Sequence, residues 1–168
     1  MTRPVVGIVM GSDSDLEAMS GAAEMLEKFG LPYEMTVASA HRSPDRAGRY
    51  ARTASERGLK VIIAGAGWAA HLAGVLAAET TLPVIGVPLP SSPLNGMDAL
   101  LATVQMPPGI PVATMALGKG GAQNAAILAA QILALADEKL AGRLTDYKLE
   151  LARGVEDKAA KVEARIKK

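Results

Sequence analysis

Apolar residues along this chain gather in five short runs, at 5–10, 33–38, 61–64, 84–87 and 112–116. Each run leads into a glycine-bearing loop and then into a stretch with helical spacing. Several runs lack the polar alternation of a strand with one wet face, which suits strands buried on both faces of a parallel sheet. The first helix is predicted over 15–29, with Leu16, Met19, Ala23, Leu26 and Phe29 as its inner stripe and Gly30 as its stop. The second takes Ser43 as N-cap and Pro44 in its first turn, and ends at Gly58. Further helices fit 71–79, 98–103 and 122–136. Strand and helix alternate five times, the signature of an open, doubly wound α/β sheet. Right-handed crossovers in such a sheet bring the loops that follow the strands to one edge, where ligands bind.

After residue 136 the pattern changes. Leu140, Leu144, Tyr147, Leu151, Val155, Val162 and Ile166 recur at helical spacing in a highly charged segment. The five-strand core is already complete, so residues 1–136 read as the catalytic domain and 137–168 as a helical arm. Its apolar stripe either folds back on its own domain or, the reading preferred here, packs on a neighbouring subunit. Gly142 and Gly154 are expected to interrupt it.

Composition narrows the chemistry. In 168 residues, 49% are hydrophobic but only 3% aromatic, so the core is built from Ala, Val, Ile, Leu and Met. The formal net charge is +1, which gives no broad attraction for nucleic acid or anionic lipid. Without cysteine there is no disulfide, thiolate nucleophile or cysteine-ligated metal. No signal-type segment or run of about 18 apolar residues is present, so the expected location is the cytoplasm.

Three loops offer chemistry. Gly11-Ser12-Asp13-Ser14-Asp15 opens a helix, where backbone N–H groups and two hydroxyls can hold phosphate and a carboxylate can hold ribose hydroxyls; equally, Ser14 or Asp15 simply caps the helix. Ser39-Ala40-His41-Arg42-Ser43-Pro44 places a proton carrier whose unperturbed pKa is about 6.5 beside a planar fork of donors suited to phosphate. Gly65-Ala66-Gly67-Trp68-Ala69-Ala70-His71-Leu72 imitates a dinucleotide fingerprint, but the acid expected about 20 residues further on is absent from Val87-Pro88-Leu89-Pro90. Its glycines better serve close backbone approach to a small ligand, and His71 is either structural or chemical. The Pro/Ser-rich stretch 88–96 and the stiff stretch 105–111 are pocket walls or rigid connectors. Gly118-Lys119-Gly120-Gly121 lacks the rest of a P-loop. The two histidines, 30 residues apart and without a tight cluster of further ligands, give little support for a catalytic metal.

Taken in order, GSDSD, SAHRSP, AGAGWAAHLAG, PVIGVP, LNGMDALLATVQMPPGIPVAT and GAQNAA closely resemble the class I PurE proteins, the 5-(carboxyamino)imidazole ribonucleotide mutases of bacterial purine biosynthesis. The resemblance covers about residues 4–135. It implies a three-layer, flavodoxin-like, doubly wound five-stranded parallel sheet, a homo-octamer with sites near subunit contacts, and no metal or organic cofactor. It also implies that Ser12 and Asp15 bind substrate, that Arg42 holds phosphate and that His41 is the catalytic acid/base. Ser14, Ser39 and the loop from Gly67 through His71 to Leu72 would line the pocket. Trp68 stands where the family usually has Gly, and Ala73 where it usually has Pro; Trp68 is expected to face outward or towards a neighbour, the alternative being that it narrows the pocket. Rival readings are a class II-type carboxylase using free carbon dioxide and aminoimidazole ribonucleotide, and a non-catalytic ribonucleotide-binding regulator.

Overall fold

The computed structural model describes residues 3–166. Five parallel strands form one sheet: β1 (Val6–Met10), β2 (Tyr33–Val37), β3 (Val61–Ala66), β4 (Val84–Pro88) and β5 (Ala113–Thr114), in the order β2-β1-β3-β4-β5. The expected α/β sheet is therefore present, in the order typical of flavodoxin-like folds. β1 and β4 are buried along their whole length and β3 nearly so, which accounts for their unbroken apolar runs. β2 is an edge strand and half-buried. β5 is shorter than the run at 112–116: only Ala113 and Thr114 pair with Ile85 and Gly86.

A 3-10 turn over Asp13–Asp15 leads into α1 (Leu16–Lys28). Met19, Ala23, Leu26 and Phe29 are buried as expected, joined by Ala22 and Met25. Leu16 is not part of that stripe: it is 51% exposed. The tight entry turn carries Asp15 inward instead. Gly30 and Gly58 follow α1 and α2 (Pro44–Arg57) with φ of 64° and 102°, the left-handed conformation that stops a helix. Ser43 occupies the N-cap position of α2 but makes no capping bond with its side chain. Its hydroxyl accepts the Ser39 N–H at 3.0 Å and donates to the Ser39 carbonyl at 3.1 Å.

α3 (Leu72–Ala78) and α4 (Met97–Val104) follow, then α5 (Gly118–Ala134). α5 starts four residues earlier than expected, so the Gly-Lys-Gly-Gly run is a first helical turn and not a loop. One sheet face is covered by α2 and α3, whose Ala47, Ala51, Ala54, Leu72 and Leu76 join Val9, Ile62 and Ala64 in one core cluster. α1 lies on the opposite face with the start of α5 beside it, tied by a Lys119–Glu24 ion pair of 2.8 Å.

The chain divides into two compact units, with the break between Ala129 and Ala130. The second contains the end of α5 and the 29-residue helix α6 (Glu138–Ile166). Contrary to expectation, neither Gly142 nor Gly154 interrupts α6. An interior glycine costs a helix about 1 kcal/mol, a penalty that a long helix absorbs without breaking. Leu140 is buried, while Leu151, Val155, Val162 and Ile166 are exposed. Among the described residues no helix is long and apolar enough to cross a membrane.

Candidate active site

The strand order reverses beside β1, so the loops after β1, β2 and β3 converge at the carboxyl edge of the sheet. They enclose a cleft of about 670 Å3. All nine site residues named from the sequence line it: Ser12, Ser14, Asp15, Ser39, His41, Arg42, Gly67, His71 and Leu72. Ser91, from the loop after β4, lines it too; the sequence had marked its Pro/Ser-rich stretch but not that residue.

The first loop is held by a reciprocal cap. The Ser14 N–H donates to Ser12 Oγ at 3.4 Å, and the Ser12 N–H donates to Asp15 Oδ2 at 3.1 Å. Ser12, rather than Ser14 or Asp15, is thus the capping residue. Ser14 Oγ also donates to Ser12 Oγ at 2.9 Å, placing two hydroxyls side by side at the helix entry. Asp15 is only 8% exposed. Burial is the main influence on its carboxyl and raises its pKa above the ordinary value; the Ser12 N–H and the Arg42 charge pull the other way, and Asp13 adds a smaller upward push.

The second loop is braced on itself and on the first. The Arg42 N–H donates to Ser39 Oγ at 3.1 Å, and its guanidinium donates to the Gly11 carbonyl at 3.2 Å. That leaves donors of Arg42 available in the cleft that the two hydroxyls also line, an arrangement suited to a phosphate. His41 then meets the third loop. Its Nε2 lies 2.8 Å from Nδ1 of His71, with the rings edge-on and their centroids 4.8 Å apart. One nitrogen must donate and the other accept, so the pair shares one N–H across the cleft.

The third loop is fixed by packing on either side of Trp68. A Cβ on Gly67 would overlap Ser91 Oγ, and Ala70 is buried. Trp68 between them has φ of 54°. That conformation costs a residue with a side chain roughly 1–2 kcal/mol relative to glycine. Trp68 is 59% exposed and is one of the residues that line the cleft. Ala73 is buried in the core cluster behind it, one position inside α3.

The AIR carboxylase family model matches residues 5–154. The chain is 56% identical to the N5-carboxyaminoimidazole ribonucleotide mutase of Pyrococcus horikoshii, an alignment covering 96% of this chain and 90% of that one. It is 61% identical to the mutase of the same name from Bacillus subtilis, over 86% of this chain and 89% of the other. A phosphoribosylaminoimidazole carboxylase of Schizosaccharomyces pombe is 55% identical over 95% of this chain, which accounts for 29% of that longer protein. Among solved structures, Treponema denticola PurE superposes with a TM-score of 0.84 at 29% identity, covering 95% of this chain and 98% of its own. A family match over residues 5–154, supported by relatives of this identity, leads to one conclusion: the chain belongs to the AIR carboxylase family.

Proposed function

We propose that this protein is an N5-carboxyaminoimidazole ribonucleotide mutase of purine biosynthesis, moving a carboxylate from the exocyclic nitrogen of an imidazole ribonucleotide to the ring carbon. The observation that carries the proposal is the position of His41, paired with His71 and flanked by Arg42 and the Ser12–Ser14 hydroxyls in one cleft. The mutase names of the relatives at 56% and 61% identity agree with it.

In this mechanism the Ser12 and Ser14 hydroxyls and the Arg42 guanidinium hold the substrate phosphate, and Asp15 helps bind the ribonucleotide at the helix entry. Ser39, Gly67 and Leu72 shape the walls. Protonated His41 gives its proton to the exocyclic nitrogen as the nitrogen–carbon bond breaks, releasing carbon dioxide inside the cleft. The electron-rich ring carbon attacks that carbon dioxide, and His41 then removes the ring-carbon proton to restore aromaticity. The proton taken equals the proton given, so one histidine completes the cycle without another base. His71 orients the His41 ring through their shared N–H. Phosphate and ribose contacts keep the ring in register while carbon dioxide changes position.

We also propose that α6 is an arm that packs on a neighbouring subunit of a homo-octamer working in the cytoplasm. The exposed Leu151, Val155, Val162 and Ile166 support this, since a helical stripe of that kind gains by being covered.

The functional test is to offer purified enzyme each of two substrates at low bicarbonate. Conversion of 5-(carboxyamino)imidazole ribonucleotide, with no carboxylation of aminoimidazole ribonucleotide, is the expected result. The reverse preference would mean a class II-type carboxylase. Saturable calorimetric binding with no conversion of either would mean a ribonucleotide-binding regulator.

A further inference from the structure

Trp68 lines the cleft, yet the chemistry above gives it no task. It is the only tryptophan in the chain. Three observations together are hard to reconcile with an inert surface residue. Its backbone sits at φ 54°, a conformation that side-chain-bearing residues adopt at a cost. Its neighbours hold it there, Gly67 against Ser91 and Ala70 in the core. And the large apolar ring is left mostly in water at the edge of a polar cleft, three residues from the histidine that contacts His41. Strain and exposure both disfavour the free subunit, so a compensating contact belongs to a state in which the ring is covered.

We propose that Trp68 is a substrate-contact residue, its indole packing on the flat ring or ribose of the bound imidazole ribonucleotide. The inference rests on the mutase reading. The indole supplies grip, not proton transfer. An aromatic face against a planar ligand stabilises ground and transition states alike, so its loss raises KM and leaves kcat nearly unchanged. Glycine at this position relieves the backbone, so the same substitution should stabilise the free fold.

Because there is one indole, its emission reports on this position alone. Titrating the wild-type protein with carboxyaminoimidazole ribonucleotide should shift that emission saturably, over the same concentration range in which the compound inhibits turnover. Trp68→Gly should melt at or above the wild-type temperature, with KM raised about tenfold and kcat within about twofold. Trp68→Phe should recover most of the KM. Emission that does not change at saturating ligand overturns the proposal, as does a wild-type KM in Trp68→Gly. A lower melting temperature in Trp68→Gly would also overturn it, because the ring would then be covered by protein. If Trp68→Gly does not fold, the wild-type titration and Trp68→Phe decide the matter. A wild-type enzyme that converts no imidazole ribonucleotide would instead defeat the mutase reading, and this inference with it.

Discussion

The contact between His41 and His71 brings together two residues thirty positions apart, in loops that follow strands on either side of β1. The sequence marked both loops, because each joins an apolar run to a helix and carries polar or glycine residues. It left the role of His71 open, since spacing alone does not tell which loops become neighbours; strand order does. Replacing His71 with Asn should lower kcat about tenfold while the protein stays folded, as expected of a group that orients the acid/base without transferring the proton. Asp15 can be tested through stability. Burial raises its pKa above 3.8, so the folded state binds that proton more tightly than the unfolded chain does. Its contribution is therefore favourable at acid pH and is lost as pH rises from the ordinary carboxylate range through the folded value. Asp15→Asn keeps an acceptor for the Ser12 N–H without the buried charge. Its urea midpoint should match wild type at low pH and exceed it once pH has risen through the folded value, while substrate binding weakens.

Among the elements, those with buried apolar faces were the most legible. β1, β3 and β4 read directly as unbroken apolar runs, and α2 ends at Gly58 as its sequence indicates. Glycine caused the misreadings within α5 and α6. The run Gly118–Gly121 looks like a loop by propensity, yet it is the first turn of α5, where a Cβ on Gly121 would overlap the Ala116 carbonyl. Packing decided that turn, and single-residue propensity carries no information about how closely the backbone just ahead of the helix approaches. Gly142 and Gly154 likewise lie inside α6, with open space where a Cβ would be. Gly142→Ala and Gly154→Ala should each therefore stabilise the helix by about 0.5–1 kcal/mol, read as a raised melting temperature. A loss instead of a gain would show that a neighbouring subunit approaches α6 closely at those glycines.

At the scale of the whole molecule, the doubly wound sheet gathers its chemistry at one edge because parallel strands deliver successive loops to the same side. This made the site legible as a set of loops before any distance was known, whereas the orientation of Trp68 depended on the fixed backbone of one loop. The role of α6 was legible only as a surplus apolar stripe, because a single sequence does not identify what covers it. Removal of residues 141–168 should lower the particle mass in light scattering if the arm joins subunits; an unchanged mass would count against the arm. The most direct measurement compares wild-type protein with His41→Asn at matched fold and assembly, following conversion of 5-(carboxyamino)imidazole ribonucleotide. If His41 carries the proton in both directions, the variant should still bind the ribonucleotide but lose at least about a hundredfold in kcat. Turnover by a folded His41→Asn at close to the wild-type rate would contradict that role.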